Sequence, residues 1–412
     1  MNKQNKSYCR VPFDSVTVSP TGRMQLCCEA QWLGTEEKVS IKDLDNIDEW
    51  FNGEYLNSVR DSMLRGERIK ECEFCYKNEE LHGGSRRTVT NSRYFSSHTD
   101  VTEKSMKKID IKFGNNCNLR CKMCFPYASS ELWKEWDKLG WTTKDKDPNS
   151  DTSWKYYDGY FEEDYRWPKD QSNMEKIKQV VAHSTILHVT GGEPMINPEF
   201  IQLLKHCIDT GIAANIKLEM TTNATKIHPA FFGLAEQFKS VNVIVSMDGT
   251  GKTYEYVRYP ANYNVVHSNV MRYNKFMKSL GDRGTLSFTA VLQLWNLHDM
   301  VEIFKVFGPL TVNGVMHTEV LEDPKFMRWT LLPEHMIKSA IKTLYNESQH
   351  DHPKAVAWPI FALMRKLYPY RSIARQDDDT MLDQLRQFTK QQDTLRGIKL
   401  ADYIPGLADL LR

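Results

Sequence analysis

The sequence predicts an α/β protein built on an open (β/α)6 partial TIM barrel. Six apolar, β-rich runs between residues 107 and 321 alternate with segments of helical apolar spacing, the pattern of a parallel sheet covered by crossover helices. The residues best suited to chemistry fall just after those runs, at the carboxyl ends of the strands, where ligands bind in such sheets. The flanks differ in character: residues 1–84 are cysteine-bearing, and residues 322–412 read as mostly helical.

Taken in order, residues 1–84 form a small domain, with short strands around the turn Ser19-Pro20-Thr21-Gly22 and a helix near 47–65. Residues 85–107, polar and rich in Gly, Ser and Arg at their start, read as a linker. Its Arg86, Arg87 and Arg93 read as solvated charges. The core spans 108–321, with strands at 108–113, 185–189, 216–221, 241–247, 285–292 and 313–320. Between them lie helices such as Pro198–Asp209, which places Phe200, Leu203, Leu204, Cys207 and Ile208 on one face. An insert at 141–167 holds eight aromatic and seven acidic residues and reads equally as a lid or as a self-packed surface loop. The C-terminal extension, 322–412, is expected to be broken at Pro333, Pro353, Pro359 and Pro405.

Composition narrows the function classes. The chain has 412 residues, 41% hydrophobic and 26% charged, outside the range of disordered or fibrous proteins. Its formal net charge of +1 provides no global field for a polyanion, so a nucleic-acid partner is not expected. No run approaches the roughly 18 apolar residues of a membrane span, and the polar start has no apolar signal segment. The expected location is the cytoplasm. The nine cysteines are clustered, and their spacing suits metal ligation better than a disulfide framework.

The most informative cluster is Cys117-Asn118-Leu119-Arg120-Cys121-Lys122-Met123-Cys124, three thiols on one loop after the first core strand. A cubane iron–sulfur cluster takes four ligands, so three cysteines hold it and leave one iron open. A structural zinc site is normally closed by a fourth Cys or His. In position and spacing this loop resembles that of the radical S-adenosylmethionine superfamily. The resemblance implies a 4Fe-4S cluster on Cys117, Cys121 and Cys124 whose open iron binds S-adenosylmethionine. It also implies reductive cleavage to a 5′-deoxyadenosyl radical that abstracts hydrogen from a substrate. The family usually has an aromatic residue where Met123 stands.

The resemblance continues along the core. Thr190 is followed by Gly191-Gly192-Glu193-Pro194, similar to the family's GGEP motif: paired glycines admit a ligand to the backbone, and a carboxylate can pair with an ammonium group. Thr221 and Asn223 after the third strand, and Ser246 and Asp248 after the fourth, resemble positions that hydrogen-bond the cosubstrate. Arg258 resembles the arginine that pairs its carboxylate, and Asn296 an amide near its ribose or carboxylate. His188, inside an apolar run, reads as a core histidine, and Cys207 as a small buried hydrophobe.

A second set, Cys9, Cys27, Cys28, Cys72 and Cys75, suffices for a closed four-thiolate site of iron–sulfur or zinc type. Its order resembles the SPASM or twitch auxiliary-cluster domain, here preceding the core instead of following it. The resemblance implies an auxiliary 4Fe-4S cluster on Cys9, Cys27, Cys72 and Cys75, with Cys27 favoured over Cys28. It further implies an electron donor such as flavodoxin or ferredoxin, and a peptide substrate of the ribosomally made, modified class. Oxidation or rearrangement of a small molecule such as a sugar or nucleotide is the alternative. A non-catalytic zinc-binding interaction protein is the alternative from a different class.

Overall fold

The computed structural model describes residues 6–30, 39–95, 100–141, 164–367 and 379–411. Eight strands form one mostly parallel sheet in the order β2-β1-β3-β4-β5-β6-β7-β8. They are β1 (Ser15–Val18), β2 (Met24–Gln25), β3 (Lys108–Lys112), β4 (Ile186–Thr190), β5 (Lys217–Thr222), β6 (Ser240–Ser246), β7 (Gly284–Leu292) and β8 (Met316–Val320). The six strands expected of the core are present, and two more precede them. The chain divides into two compact units, one of Met1–Asn115, Glu163–Glu219 and Gly233–Lys239, the other of Asn116–Glu162, Met220–Phe232 and Ser240–Arg412.

In the first unit β1 runs parallel to β3, from Ser15 opposite Lys108 to Val18 opposite Ile111, and β3 runs parallel to β4, from Lys108 opposite Ile186 to Lys112 opposite Thr190. The N-terminal segment thus supplies a strand that pairs with the first core strand. The turn between β1 and β2 places Gly22 at φ +79°, against Trp167, whose ring a Cβ would approach to 2.9 Å. Trp167 Nε1 donates to the Pro20 carbonyl at 3.1 Å. The helix expected near 47–65 is two helices, Ile47–Asn52 and Glu54–Arg65, parted where Gly53 lies against the Glu49 carbonyl.

Part of the segment read as a linker is the helix Arg86–Phe95. Arg87 is not a solvated charge: it is buried, ion-paired with Glu79, and donates to the Tyr8 carbonyl at 2.8 Å. Pro198–Asp209 is a helix over the expected residues, because Asn197 caps it by accepting from the backbone of Glu199 and Phe200 and Pro198 opens it. Phe200, Leu203, Leu204 and Cys207 are fully buried on its inner face.

In the second unit the strict alternation of β6 buries Val241, Val243 and Val245. The last strand is shorter than the 313–320 expected, because Asn313 adopts φ +47° and turns the chain before Met316. Pro359 does not break the C-terminal region; it lies inside the helix Lys354–Leu367. A proline there cannot donate to the Ala355 carbonyl. The backbone of Gly308 packs against that same carbonyl, where a Cβ would come within 2.5 Å.

Most of the aromatic insert, 142–163, lies outside the described residues. Trp141, at its start, donates from Nε1 to Gln391 Oε1 at 2.9 Å and stacks on Phe388, with ring centroids 5.2 Å apart. No helix among the described residues is long and apolar enough to cross a membrane.

Candidate functional site

The three-cysteine loop lies in the second unit, and its backbone is held at several points. Arg120 N–H donates to the Tyr259 carbonyl at 2.7 Å, Lys122 N–H to Val257 at 2.8 Å, and Cys124 N–H to Cys121 at 3.1 Å. Ser129 Oγ donates to the Leu119 carbonyl at 2.6 Å and caps the following helix, Ser130–Lys138. Such a loop is preorganised by peptide bonds that no ligand need satisfy. Cys121 is buried, and Cys117 and Cys124 are half-buried. Burial pushes the Cys121 thiol up; it pushes Cys124 up as well, and there Cys121 and Cys117 add to the effect. Buried thiols that raise one another's pKa are costly as free thiolates and are relieved by a bound cation that favours deprotonation.

The spacing of these donors tests what they fit. A single zinc ion bonded to sulfur at about 2.3 Å holds its tetrahedral ligands about 3.8 Å apart. Among the described residues no three cysteine sulfurs lie within 4.8 Å of one another. The donor set, three thiols on one loop without a fourth protein ligand in that loop, fits a cubane cluster with one open iron.

Loops after β5, β6 and β7 supply the neighbouring polar groups in this unit. Asn223, at the end of β5, donates through Nδ2 to Asn118 Oδ1 at 3.2 Å and lies 3.9 Å from Cys117 Sγ. Thr222, one residue beyond the expected Thr221, is buried and accepts from Ala224 N–H, holding that non-glycine residue at φ +56°. Thr221 and Ser246 are half-buried.

Asp248 is wholly buried and bound to Arg258, with Nη2 and Nε at 2.5 and 2.6 Å from its Oδ2. Its Oδ1 accepts from Val291 N–H at 2.6 Å. Burial opposes the charge on Arg258, but Asp248 and the nearby Cys121 hold it firmly protonated. Asn296 donates to the carbonyls of Asp248 and Val291 and accepts from Gln293 N–H. Asp248, Arg258 and Asn296, read separately in the sequence, therefore form one hydrogen-bonded brace.

The Gly191-Gly192-Glu193-Pro194 turn lies in the first unit, directly after β4. Both glycines are left-handed, at φ +77° and +56°. A Cβ on Gly191 would meet the Lys112 side chain at 2.5 Å, so glycine is required by close approach as well as by φ. Glu193 is buried, and its Oε1 accepts from Met195 N–H at 3.0 Å. His188 is buried, and its Nδ1 stands 3.2 Å from Asp110 Oδ1 on the paired strand. Burial pushes the Asp110 carboxyl up, yet His188, Lys112 and Lys108 outweigh it and hold the group well below its usual range.

The second cysteine set is also in the first unit. Cys9, Cys72 and Cys75 are buried, and Cys27 and Cys28 are half-buried. Burial pushes Cys9 up to about 12, with Cys72 and Cys75 contributing. Cys27 is raised by burial, then by Cys28 and Cys9, and Cys72 by burial, then by Cys27 and Cys75. Cys28 has different neighbours. Burial brings it to about 11, Arg86 opposes, and Asp110, Glu29 and Lys112 lie near; its thiol faces Glu29 Oε1 at 3.8 Å.

Residues 111–307 match the sequence profile of the Radical SAM superfamily. The match covers just under half of the chain. In solved structures the chain is similar to SuiB from Streptococcus suis bound to S-adenosylmethionine, at 15% identity over 59% of this chain and 44% of SuiB, with a TM-score of 0.34. It is also similar to anSMEcpe with bound AdoMet and the Cp18Cys peptide, at 16% identity over 58% of this chain and 60% of that one, with a TM-score of 0.36. TYW1 with a lysine-pyruvate adduct bound is similar at 12% identity, over 68% and 84%, with a TM-score of 0.34. The aligned region spans less than two thirds of the length of SuiB and of anSMEcpe. No curated protein matches the chain.

Sequence reasoning missed the residues that hold the three-cysteine loop from the C-terminal helix Asp379–Arg396. Lys122, between the second and third cysteines, is buried and pairs with Asp393 at 2.7 Å, 4.2 Å from the Tyr256 ring centroid. Burial and Arg396 push its ammonium down to about 7, while Asp393 opposes. Arg396 grips Glu135 through Nε at 2.8 Å and Nη2 at 2.7 Å and donates from Nη2 to the Arg120 carbonyl at 2.6 Å. The only sequence signal is a polar group at 392, 393 and 396 on an otherwise amphipathic helix, which reads as a solvated face.

Asp299 was missed as well. It accepts from Thr250 N–H and, at 2.8 Å, from Thr250 Oγ1, tying the loop after Asp248 to the loop after β7. Burial pushes its carboxyl up to about 6, against those two hydrogen bonds. A carboxyl raised above its unfolded value stabilises the fold fully below about pH 4, and that contribution is lost as pH rises through 6. Asp299→Asn, which can accept from the Thr250 N–H and donate to its hydroxyl, is therefore expected to raise stability at pH 7 by on the order of 1–3 kcal/mol and to flatten the pH dependence between 4 and 6. Urea unfolding of both proteins at pH 4.5 and 7 checks this; an equal loss of stability at both pH values would count against it.

Proposed function

We propose that the chain is a radical SAM enzyme that binds a 4Fe-4S cluster through Cys117, Cys121 and Cys124 and cleaves S-adenosylmethionine there to initiate a radical reaction on a peptide. The observation that carries the reading is three thiols on one hydrogen-bonded loop, two of which raise the pKa of the third, with no fourth cysteine or histidine in that loop. When bound, the cluster and S-adenosylmethionine supply a 5′-deoxyadenosyl radical that removes a hydrogen atom from an unactivated carbon.

The chain's own residues bind and orient. Asn223 stands beside Cys117 with its amide partly engaged by Asn118, and Arg258, kept charged by Asp248, supplies positive potential beside Cys121. On the resemblance alone, Gly191, Gly192, Glu193 and Pro194 are proposed as cosubstrate-binding residues, glycines leaving backbone uncovered and a carboxylate suiting an ammonium group. Asn296 holds the Asp248 backbone, and Thr221 and Ser246 remain half-buried polar groups at strand ends.

We assign the auxiliary 4Fe-4S site to Cys9, Cys27, Cys72 and Cys75. The mutual influence of these four thiols supports the choice of Cys27, since Cys28 faces Glu29 and Arg86 instead. The proposed layout is an auxiliary domain at 1–84, a connection at 85–107, a partial-barrel core at 108–321 and a helical region at 322–412. The peptide substrate rests on the resemblance of the N-terminal cysteine set to auxiliary domains of peptide-modifying relatives. Nine free cysteines suit a reducing compartment with a flavodoxin- or ferredoxin-type electron donor.

Anaerobic reconstitution, iron, sulfide and zinc analysis and a dithionite assay for 5′-deoxyadenosine test this reading. About eight irons per chain with 5′-deoxyadenosine formed is the expected result. About four irons and one zinc would make the N-terminal site structural, and zinc alone with no 5′-deoxyadenosine would overturn the proposal.

A further inference from the structure

Outside the cysteine sites, the described residues hold one group of three metal-ligating side chains whose donor atoms all lie within 4.8 Å of one another: Glu347, His350 and His352. Glu347 is in the last turn of the helix Glu334–Ser348, and the two histidines lie in the connection to the helix Lys354–Leu367. His350 N–H donates to the Glu347 carbonyl at 3.1 Å, which folds the connection back over the helix end.

The carboxylate is aimed. Its Oε1 is held by Lys305 at 2.8 Å, from the helix Met300–Phe307. Its Oε2 faces both imidazoles, 3.0 Å from His352 Nε2 and 3.8 Å from His350 Nδ1. The hydrogen bond from Lys305 is the main reason the Glu347 carboxyl sits below its ordinary range. Glu347 and His352 are mostly shielded, at 19% and 17% side-chain exposure, whereas His350 is open to solvent at 65%.

We propose that Glu347, His350 and His352 form a binding site for a divalent transition-metal ion of the zinc class. Two imidazoles and one carboxylate with an open fourth position are a donor set zinc accepts, at about 2.0–2.2 Å from each atom. Ligand atoms all within 4.8 Å of one another, with the carboxylate 3.0 and 3.8 Å from the two imidazoles, need little movement to close on one ion, and Lys305 acts as the outer group that fixes the carboxylate. The ion pins the connection between the two helices. The proposal rests on no part of the radical reading, and the site shares no residue with it.

The test is isothermal titration with zinc chloride of wild-type protein and His350→Ala/His352→Ala, both handled anaerobically. Zinc taken up by the cysteines is common to the two and cancels in the difference. One additional equivalent in the wild type, weakened at least about tenfold in Glu347→Gln, is the expected result. Identical isotherms would overturn the proposal. So would a cobalt(II) difference spectrum between wild type and double variant that carries a sulfur-to-metal band, because the ion would then sit on thiolates. Far-UV circular dichroism confirms that the variants are folded, and His350 is exposed enough for its replacement to leave the packing intact.

Discussion

Glu135→Ala is expected to destabilise the second unit by about 3–5 kcal/mol, the usual cost of removing one partner from a buried ion pair. The carboxylate has almost no exposure and receives Arg396 through two nitrogens, Gln392 Nε2 at 2.6 Å and Arg120 at 3.6 Å. Without it the Arg396 guanidinium is left buried and without its carboxylate partner, and its Nη1 already has no hydrogen-bond partner among the described residues. The cost therefore comes from the orphaned cation more than from the attraction lost. Urea unfolding followed by tryptophan fluorescence measures it, with Glu135→Gln expected to fall between. A double change, Glu135→Leu with Arg396→Met, is expected to recover much of the loss, since apolar groups of similar volume replace buried pairs at little cost. An unchanged midpoint in Glu135→Ala would mean the helix Asp379–Arg396 does not hold the cysteine loop.

Cys121→Ser is expected to lower 5′-deoxyadenosine formation by more than about a hundredfold, beyond the 10–100-fold typical of changes in groups that merely support a ligand. Cys121 is the most buried of the three loop cysteines and lies beside the Asp248–Arg258 brace. Losing its thiolate leaves two cysteines, too few to hold a cubane against exchange. On the proposed assignment of a second cluster to the N-terminal cysteines, iron falls by about four per chain and about four remain, so iron analysis separates local loss from global unfolding. Retention of all the iron together with normal 5′-deoxyadenosine would exclude Cys121 as a ligand.

The cysteine loop was legible because its chemistry is local. Three thiols within eight residues share one loop by their spacing alone, and the following Ser129 caps the helix that succeeds it. The helix Pro198–Asp209 was legible for a similar reason: its cap, its opening proline and its apolar face are all written in adjacent residues. Pro359 misled because a proline's effect depends on what becomes of the carbonyl it abandons, and here that carbonyl packs against Gly308, far along the chain. Arg87 misled because nothing in a Gly/Ser/Arg-rich stretch announces Glu79 and the Tyr8 carbonyl as partners.

By itself, then, the sequence determined the strand periodicity, the helix caps and the cysteine spacing, each set by residues within one or two turns or strands. Only the tertiary structure decided that β1 pairs with β3, that Asp248 and Arg258 serve each other, and that Lys122 and Glu135 are answered by Asp393 and Arg396, 271 and 261 residues away. Local order follows from sterics and side-chain period, which neighbouring residues carry. Ion pairs and strand partners across the chain follow from which buried charges and backbone edges must be satisfied once the core has closed.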